Sequence, residues 1–426
     1  MKQLAVFSVI ALMLSLSLAD CSKKGDAEPD DLADTTLLGS VKYIDTLPPS
    51  TALRHGTLHT EEDFARIRAA IAGNQEPWLS GFKMLEKNPN IANKTYSPSP
   101  VAKLIRGGNS REEPLPDNYT SAYKDVAAAY QSALYWRIKG DTVYAETAVK
   151  ILNAWASICK QLSGGPDINL AAGFYGYEFA VAGELMRDYI HWKPEDFKAY
   201  QQWMVAVFYP VNHSFLKDHN GSCIYHYWAN WDLGNISSIM AIGILCDNRG
   251  LYNEAVNYFQ HGAGNGNIRN AINYFHKTDE GELGQLQESG RDQGHATLVM
   301  AYLGTLCEMA WNQGDDFYGF NDNAVLKASE YVAKYNVAMK PVPFHEYPYK
   351  DCDTTIVQTE IASDSRGTVR PMWSVIYNHY VKRKGMNAPY TLLGMNTTAP
   401  EGGGGDYGPN SGGYDQLGYG TLMFSR

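Results

Sequence analysis

Residues 123–159 read YKDVAAAYQSALYWRIKGDTVYAETAVKILNAWASIC, and their pattern decides the class of fold. Tyr123, Val126, Ala127, Tyr130, Ala133, Leu134 and Ile138 recur at helical spacing and share one face. Gly140-Asp141 breaks the pattern, and a second stripe follows with Ala145, Ala148, Val149, Leu152, Trp155 and Cys159. Two amphipathic helices joined by so short a turn must pack antiparallel to cover their apolar faces. Outward from this hairpin the same reading repeats. Thr60 can cap a helix whose first turn is acidic (Glu61, Glu62, Asp63) and which Gly73 stops. Further helices are expected over 176–189, 194–209, 230–246, 251–260, 268–275, 295–312, 324–336 and 371–384. Strand signals are scarce before residue 340, and a short strand is expected within 351–360. Serial hairpins of unequal length with no fixed sequence period predict a mainly α chain, a curved or closed α/α array.

Two stretches stand outside this pattern. Residues 89–116, rich in Pro and Asn, read as a long loop. The glycine-rich run from Glu401 to Tyr414 excludes regular structure. Leu417, Tyr419, Leu422, Met423 and Phe424 beyond it are apolar enough to pack, so this tail is expected to lie against the helices.

The 426 residues are 44% hydrophobic and 19% charged, ordinary values for a globular protein. A net charge of −10 argues against nucleic acid, which needs a broad basic surface. Tyr, with 29 copies, offers flat faces with a hydroxyl edge, which suit sugar rings as well as half-buried packing. Lys2 followed by the apolar run 4–18 reads as a secretory signal, too short to span a bilayer. Residues 1–20 are assigned to that signal. Residues 21–50 are read as a tether, with Cys21 in a box resembling a bacterial lipoprotein cleavage site, and 51–426 as one domain. The expected location is periplasmic or anchored to the outer membrane, with membrane contact only through a lipid on Cys21. The remaining five cysteines, at irregular spacing, show no disulfide framework and are read mostly as small buried hydrophobes.

Chemistry concentrates at four helix ends: Gly173 to Tyr177, Tyr225 to Asp232, Gln287 to His295, and Arg366 to Trp373. The third packs amide, carboxylate, guanidinium and imidazole groups just before an apolar helical run. A helix start of that composition suits an anion, because backbone N–H groups and the helix dipole point at it. The plainer reading of each segment is capping and packing. Asn230 and Asp232 would cap the following helix, Arg366 and Arg370 would pair with acids, and His226 would be a satisfied structural histidine.

Taken together, His55 to Asp63, Tyr227 to Asp232, Gln287 to His295 and the tail Glu401 to Tyr419 resemble the bacterial alginate-lyase-like family, and within it polysaccharide lyase family 38. The resemblance runs from about Leu53 to the C-terminus. It implies an (α/α) toroid, an incomplete barrel of helical hairpins, and β-elimination on a uronate polymer such as alginate. That reaction removes the proton on C5 beside the sugar carboxylate and expels the O4-linked sugar. The carboxylate must be neutralised by groups arranged in advance, a base must reach C5 and an acid O4. Asn230, Arg291, His226 and His295 fit the neutraliser and base roles by type. Related lyases pair Asn with His and place a Tyr just before a His. Here Gly294 precedes His295, so the tyrosine must come from another segment, with Tyr225, Tyr227 and Tyr414 as candidates. Tyr414 is carried with the catalytic set. Gln131, Tyr175, Tyr177, Tyr225, Tyr227, Trp231, Gln287, Glu288, Arg366, Arg370 and Trp373 are expected to bind or orient substrate. No cofactor is required, although acids such as Asp351 and Asp353 are compatible with a divalent cation. Two other readings remain open: an α/α glycoside hydrolase using carboxylates such as Asp232, Glu288 and Asp292, and a non-catalytic glycan-capture lipoprotein.

Overall fold

Four long helices, buried on nearly every side, form the interior wall on which the rest of the chain is built. The computed structural model describes residues 46–368, 370–405 and 414–426, all within one compact unit. Cys21 and the expected signal and tether lie outside these residues, apart from positions 46–50. In chain order the helices are α1 (Glu61–Ala72), α2 (Trp78–Lys87), α3 (Pro89–Ala92), α4 (Thr120–Lys139), α5 (Thr142–Ile158), α6 (Ile168–Leu185), α7 (Pro194–Trp203) and α8 (Tyr209–Asp218). There follow α9 (Ala229–Leu245), α10 (Arg249–His261), α11 (Ile268–Ala271), α12 (Gln293–Gln313), α13 (Phe320–Asn336), α14 (Trp373–Tyr377), α15 (Pro389–Thr398) and α16 (Gly420–Phe424). Three two-stranded sheets punctuate them. β1 (Lys103–Ile105) pairs in parallel with β2 (Gln161–Ser163), β3 (Ile272–Thr278) is antiparallel to β4 (Gly281–Leu286), and β5 (Tyr347–Asp351) is antiparallel to β6 (Thr354–Gln358).

Helices α4, α6, α9 and α12 make the inner layer: α6 packs on α4 and α9, and α9 on α12. In α9 every residue except Trp231 is buried, which is why it lacks the one-sided stripe of a surface helix. Helices α5, α8, α10 and α13 cover this layer from outside. The α6–α9 contact is close because two glycines face each other. A Cβ on Gly173 would stand 2.9 Å from the carbonyl carbon of Gly234. The result is the expected (α/α) toroid, with the 123–159 hairpin present as α4 and α5 and Gly140 closing α4 at φ 75°.

Capping follows the sequence where it is legible. Thr60 accepts from the Asp63 N–H and the Asp63 side chain accepts from the Thr60 N–H, a complete capping box on α1. Asp292 caps α12, which runs 21 residues to Gly314 at φ 99°. The helix expected to stop near Pro210 instead continues into α8. A five-residue π turn, Met204–Phe208, shifts the hydrogen-bond register just before the proline, whose nitrogen has no proton to give.

Other expectations need correction too. Residues 89–116 are not all loop, since α3 and β1 lie within them. Residues 268–275 are not one helix: α11 ends at Ala271 and β3 begins, so the segment leading into Gln287 is a β-hairpin. Ile272, Tyr274 and Phe275 are β-branched and aromatic, and residues 278–281 supply the turn. The cysteines are not all isolated: Cys223 and Cys352 form a disulfide across 129 positions, while Cys159 and Cys307 are buried free thiols and Cys246 is a half-buried one.

The tail packs inside the ring. Tyr414 stacks on Tyr123 of α4 with centroids 4.3 Å apart, Asp415 is ion-paired with Arg370, and Tyr419 is fully buried. At its end Leu422 lies against Gly81 of α2, Arg66 donates to the Ser425 carbonyl, and Arg426 pairs with Asp63 of α1.

Candidate active site

The start of α9, the 287–295 segment and one face of β5 meet at a single place. Glu288, fully buried, is its pivot. One of its oxygens accepts from both the backbone N–H of Asn230 (2.8 Å) and the Asn230 amide (2.7 Å). The other oxygen accepts from Arg291 Nη1 at 2.9 Å. Gln287 repeats the motif one residue earlier, its side-chain oxygen accepting the Ala229 N–H at 3.1 Å. The β4-to-α12 connection therefore caps the first turn of α9 with side chains of its own, in place of a local N-cap on Trp228.

Arg291 extends from this anchor over the ring of Trp228, with its guanidinium carbon 4.9 Å from the centroid. A cation on an aromatic face is held flat and partly desolvated. Its side chain keeps a quarter of its surface exposed, so it faces solvent from a fixed position. On the next turn Asp292 accepts from His295 twice, from the backbone N–H at 2.8 Å and the ring Nδ1 at 2.6 Å. Burial works against the Asp292 charge, but these bonds and the neighbouring Arg291 outweigh it and hold the carboxyl below its usual range.

The third wall was not foreseen. Alternation along β5 turns Tyr347, Tyr349 and Asp351 to one face, while Pro348 and Lys350 point outward. Tyr347 receives the Gln287 amide at 3.2 Å, and Tyr349 stacks on Trp228 at 4.1 Å and 7° while donating to the His226 carbonyl at 2.5 Å. Asp351 accepts from His226 Nδ1 at 2.5 Å. Burial, with the Glu288 carboxylate behind it, raises the Tyr347 hydroxyl above the usual phenol range, against the Gln287 hydrogen bond. The Cys223–Cys352 disulfide ties the end of this strand to the loop that carries His226. The only sequence signal for this wall was the alternation of Tyr347, Tyr349 and Asp351 in a Pro- and aromatic-rich stretch.

The model of the family described as alginate lyase matches residues 86–344, more than half of the chain and including Asn230, Glu288, Arg291 and His295. The chain belongs to the alginate lyase family. A comparison with curated proteins finds no match. Among solved structures the fold is similar to an alginate lyase from Bacteroides ovatus, with a TM-score of 0.57 at 15% identity over 88% of this chain and 100% of that one. It is likewise similar to alginate lyase A1-III from Sphingomonas species A1, with a TM-score of 0.56 at 15% identity over 90% and 100%. A variant of A1-III complexed with a tetrasaccharide aligns with a TM-score of 0.54 at 17% identity, over 80% of this chain and 92% of that one.

Within this alginate-lyase-family chain the residues singled out from the sequence separate into groups. His226, Asn230, Gln287, Glu288, Arg291 and His295 gather around the pivot just described. Tyr225 is exposed beside them, with Lys350 over its ring. A second cluster lies in the ring interior and touches the first through α12: Arg370 donates to the Gly294 carbonyl and to Thr297, and pairs with Asp415. Tyr177 donates to Gln416 at 3.4 Å, and Tyr175 is buried beside Tyr123, on which Tyr414 stacks. Gln131, also buried, accepts from Asn90 at 2.8 Å.

Four positions are packing positions. Trp373 is fully buried, with Gly394 against its ring. Tyr227 turns into the core beside Phe215 and Trp231 and accepts from Asn220, and Trp231 fills the same apolar layer. Arg366 lies 3.7 Å over the Tyr335 ring and caps the end of α13 by donating to the Tyr335 carbonyl. From the sequence each is expected at the substrate; in the structure Trp373 and Tyr227 are buried, whereas Trp231 and Arg366 stay part-exposed and are held by neighbours at the ends of α9 and α13.

Proposed function

We propose that this chain cleaves alginate or a related uronate polymer by β-elimination at the surface formed by Arg291, His226 and Tyr347, with Asn230 buried directly beneath it. The observation that carries the reading is the buried Glu288 carboxylate holding an amide and a guanidinium side by side. Neutralising a sugar carboxylate needs such donors fixed before the charge develops, because reorganisation during the reaction would cost the gain. Arg291 supplies the charge and the remaining Asn230 amide proton supplies a directed bond. His226, its Nδ1 committed to Asp351, offers Nε2 to take the C5 proton. Tyr347, kept protonated by burial, donates to O4 as the glycosidic C4–O4 bond breaks. The products are a 4,5-unsaturated uronate end and a new reducing-side hydroxyl. His295 is held one turn further on by Asp292.

The hydrolase reading is disfavoured on physical grounds. It needs two accessible carboxylates across a bond. Asp232 is fully buried and accepts from His219 at 2.8 Å and the Gly266 N–H at 2.8 Å, and Glu288 is equally engaged, so of the three carboxylates only Asp292, bonded to His295, keeps appreciable exposure. A divalent cation is not needed for neutralisation in this scheme, because the guanidinium takes that role. The finer placement in polysaccharide lyase family 38 is supported by motif order. The signal-like N-terminus and the box at Cys21 support secretion and lipid anchoring at the periplasm or outer membrane. Incubation with poly-mannuronate, poly-guluronate and glucuronan is expected to raise ultraviolet absorbance from unsaturated uronate ends with at least one. No rise with any of them across a pH and cation screen would overturn the proposal.

A further inference from the structure

We infer that Asp351 is a positioning residue for His226, and that the Cys223–Cys352 disulfide is the clamp that keeps the two together. The inference rests on the reading of His226 as the base, and adds the device that makes its imidazole a base of defined orientation.

The argument starts from distance along the chain. His226 sits in an irregular loop, and Asp351, 125 positions later, ends the first strand of a two-stranded hairpin. Such a hairpin is marginal on its own. Its second strand is exposed over Thr354–Val357, including Ile356 and Val357, so that strand buries little to hold it down. Three contacts fix the first strand on the His226 loop: the Tyr349 ring on Trp228, the Tyr349 hydroxyl on the His226 carbonyl, and the Asp351 carboxylate on the His226 ring. The disulfide joins Cys352, next to Asp351, to Cys223, three residues before His226. A covalent tie so near the pair restricts how far the carboxylate can move from the imidazole.

The chemistry follows from the acceptor. A carboxylate on Nδ1 requires the proton there, which leaves the Nε2 lone pair facing outward. More than a third of the His226 side chain is exposed, so that lone pair can meet a substrate. Donor atoms of His226, Asp351 and Cys352 lie within 4.8 Å of one another, a spacing that would also suit a metal. The Cys352 sulfur is bonded to Cys223, which removes its thiolate from such a set.

Reduction supplies the control. A phosphine gives two electrons to the disulfide and is itself oxidised, two protons come from water, and two thiols result. The hairpin is then held by its noncovalent contacts alone.

The test uses the full chain, uniformly labelled with nitrogen-15, and long-range proton–nitrogen correlation of its imidazoles. His226, assigned by comparison with His226→Gln, is expected to be the Nδ1–H tautomer in the wild type. Asp351→Ala should shift it toward the Nε2–H form, and Asp351→Glu should restore the wild-type signal in part. This readout does not require turnover, so it stands even if no uronate polymer is cleaved. Where turnover is measured, Asp351→Ala is expected to lower kcat by about 10- to 100-fold, with KM changed less than about twofold. Cys223→Ser/Cys352→Ser, or phosphine treatment, should lower kcat by about tenfold in the wild type and cause little further loss in Asp351→Ala, because both act on one contact. An Nε2–H tautomer in the wild type, or an unchanged tautomer in Asp351→Ala, overturns the positioning role. Additive losses overturn the clamp.

Discussion

Asn230 gives both its backbone N–H and its side-chain amide to the same oxygen of Glu288, at 2.8 and 2.7 Å, while the other oxygen holds Arg291. A single buried carboxylate thus sets the position of two groups that belong to different parts of the chain. Glu288→Gln removes the charge and turns an amide N–H toward at least one existing donor. Breaking such a buried charge pair costs about 3–5 kcal/mol when a partner is lost outright, so an isosteric amide should cost about 2 kcal/mol. Chemical denaturation is expected to show that loss, and kcat/KM on the preferred polymer should fall by at least about 100-fold. Unchanged turnover would remove the pivot from the site.

Arg291 should tolerate neither truncation nor exchange. Arg291→Ala is expected to reduce kcat by about 100- to 1000-fold with the helical circular dichroism retained. Arg291→Lys should recover little of it, because an ammonium can neither bridge from Glu288 nor lie flat on Trp228. Recovery to near wild-type rates with Lys would show that charge alone suffices.

The two inward tyrosines of β5 should separate. Tyr347→Phe deletes the proposed proton donor and is expected to cost about 100-fold in kcat. Tyr349→Phe keeps the ring on Trp228 and loses one hydrogen bond to the His226 carbonyl, so its effect should stay within about tenfold. Initial rates under saturating polymer distinguish the cases, and a reversed order would transfer the donor role to Tyr349.

Chelation is expected to leave the rate unchanged, since in the proposed scheme a guanidinium and an amide carry the neutralisation. Assay after exhaustive dialysis against a strong chelator checks this, and activity restored only by added calcium or another divalent cation would contradict it.

Glu401 makes stability depend on pH. It is buried among Ser374, Thr398 and Thr421, and burial pushes its carboxyl up to about 7 despite hydrogen bonds from Ser374 and Thr398. Between its unfolded value near 4.5 and about 7, the folded protein binds the proton more tightly than the unfolded chain. The contribution is therefore fully present below pH 4.5 and is lost as pH rises through 7, on the order of 3 kcal/mol in all. Glu401→Gln should flatten that part of the stability profile, as read by denaturant midpoints at pH 5 and 7.5.

How far the sequence reveals this molecule depends on the range of the forces involved. Helical periodicity is local, and so the hairpin at 123–159 and the Thr60 cap were legible. The dense polar start at 287–295 was legible because its composition is costly without partners. The β5 wall was not. Tyr347, Tyr349 and Asp351 carry only a two-residue alternation in a Pro-rich stretch, and what makes them matter is contact with residues sixty or more positions earlier. The disulfide was missed for the same reason, since an odd cysteine count conceals one long-range pair. Trp373 and Tyr227 show the opposite error. Aromatic side chains at helix ends look like sugar platforms until the packing of neighbouring helices is known.

The seam between Arg66 and Ser425 joins groups 359 positions apart. Closing a loop of that length costs chain entropy, which the packing of the tail on the helices must offset. The contact is made at the end of α16, which settles on α1 and α2 and so joins the first and last of the described helices. The same tail seats Tyr414 on Tyr123 and brings the Asp415 carboxylate to Arg370 beneath the His295 turn. The seat of the final residues and the order of the ring interior are thereby parts of one structure.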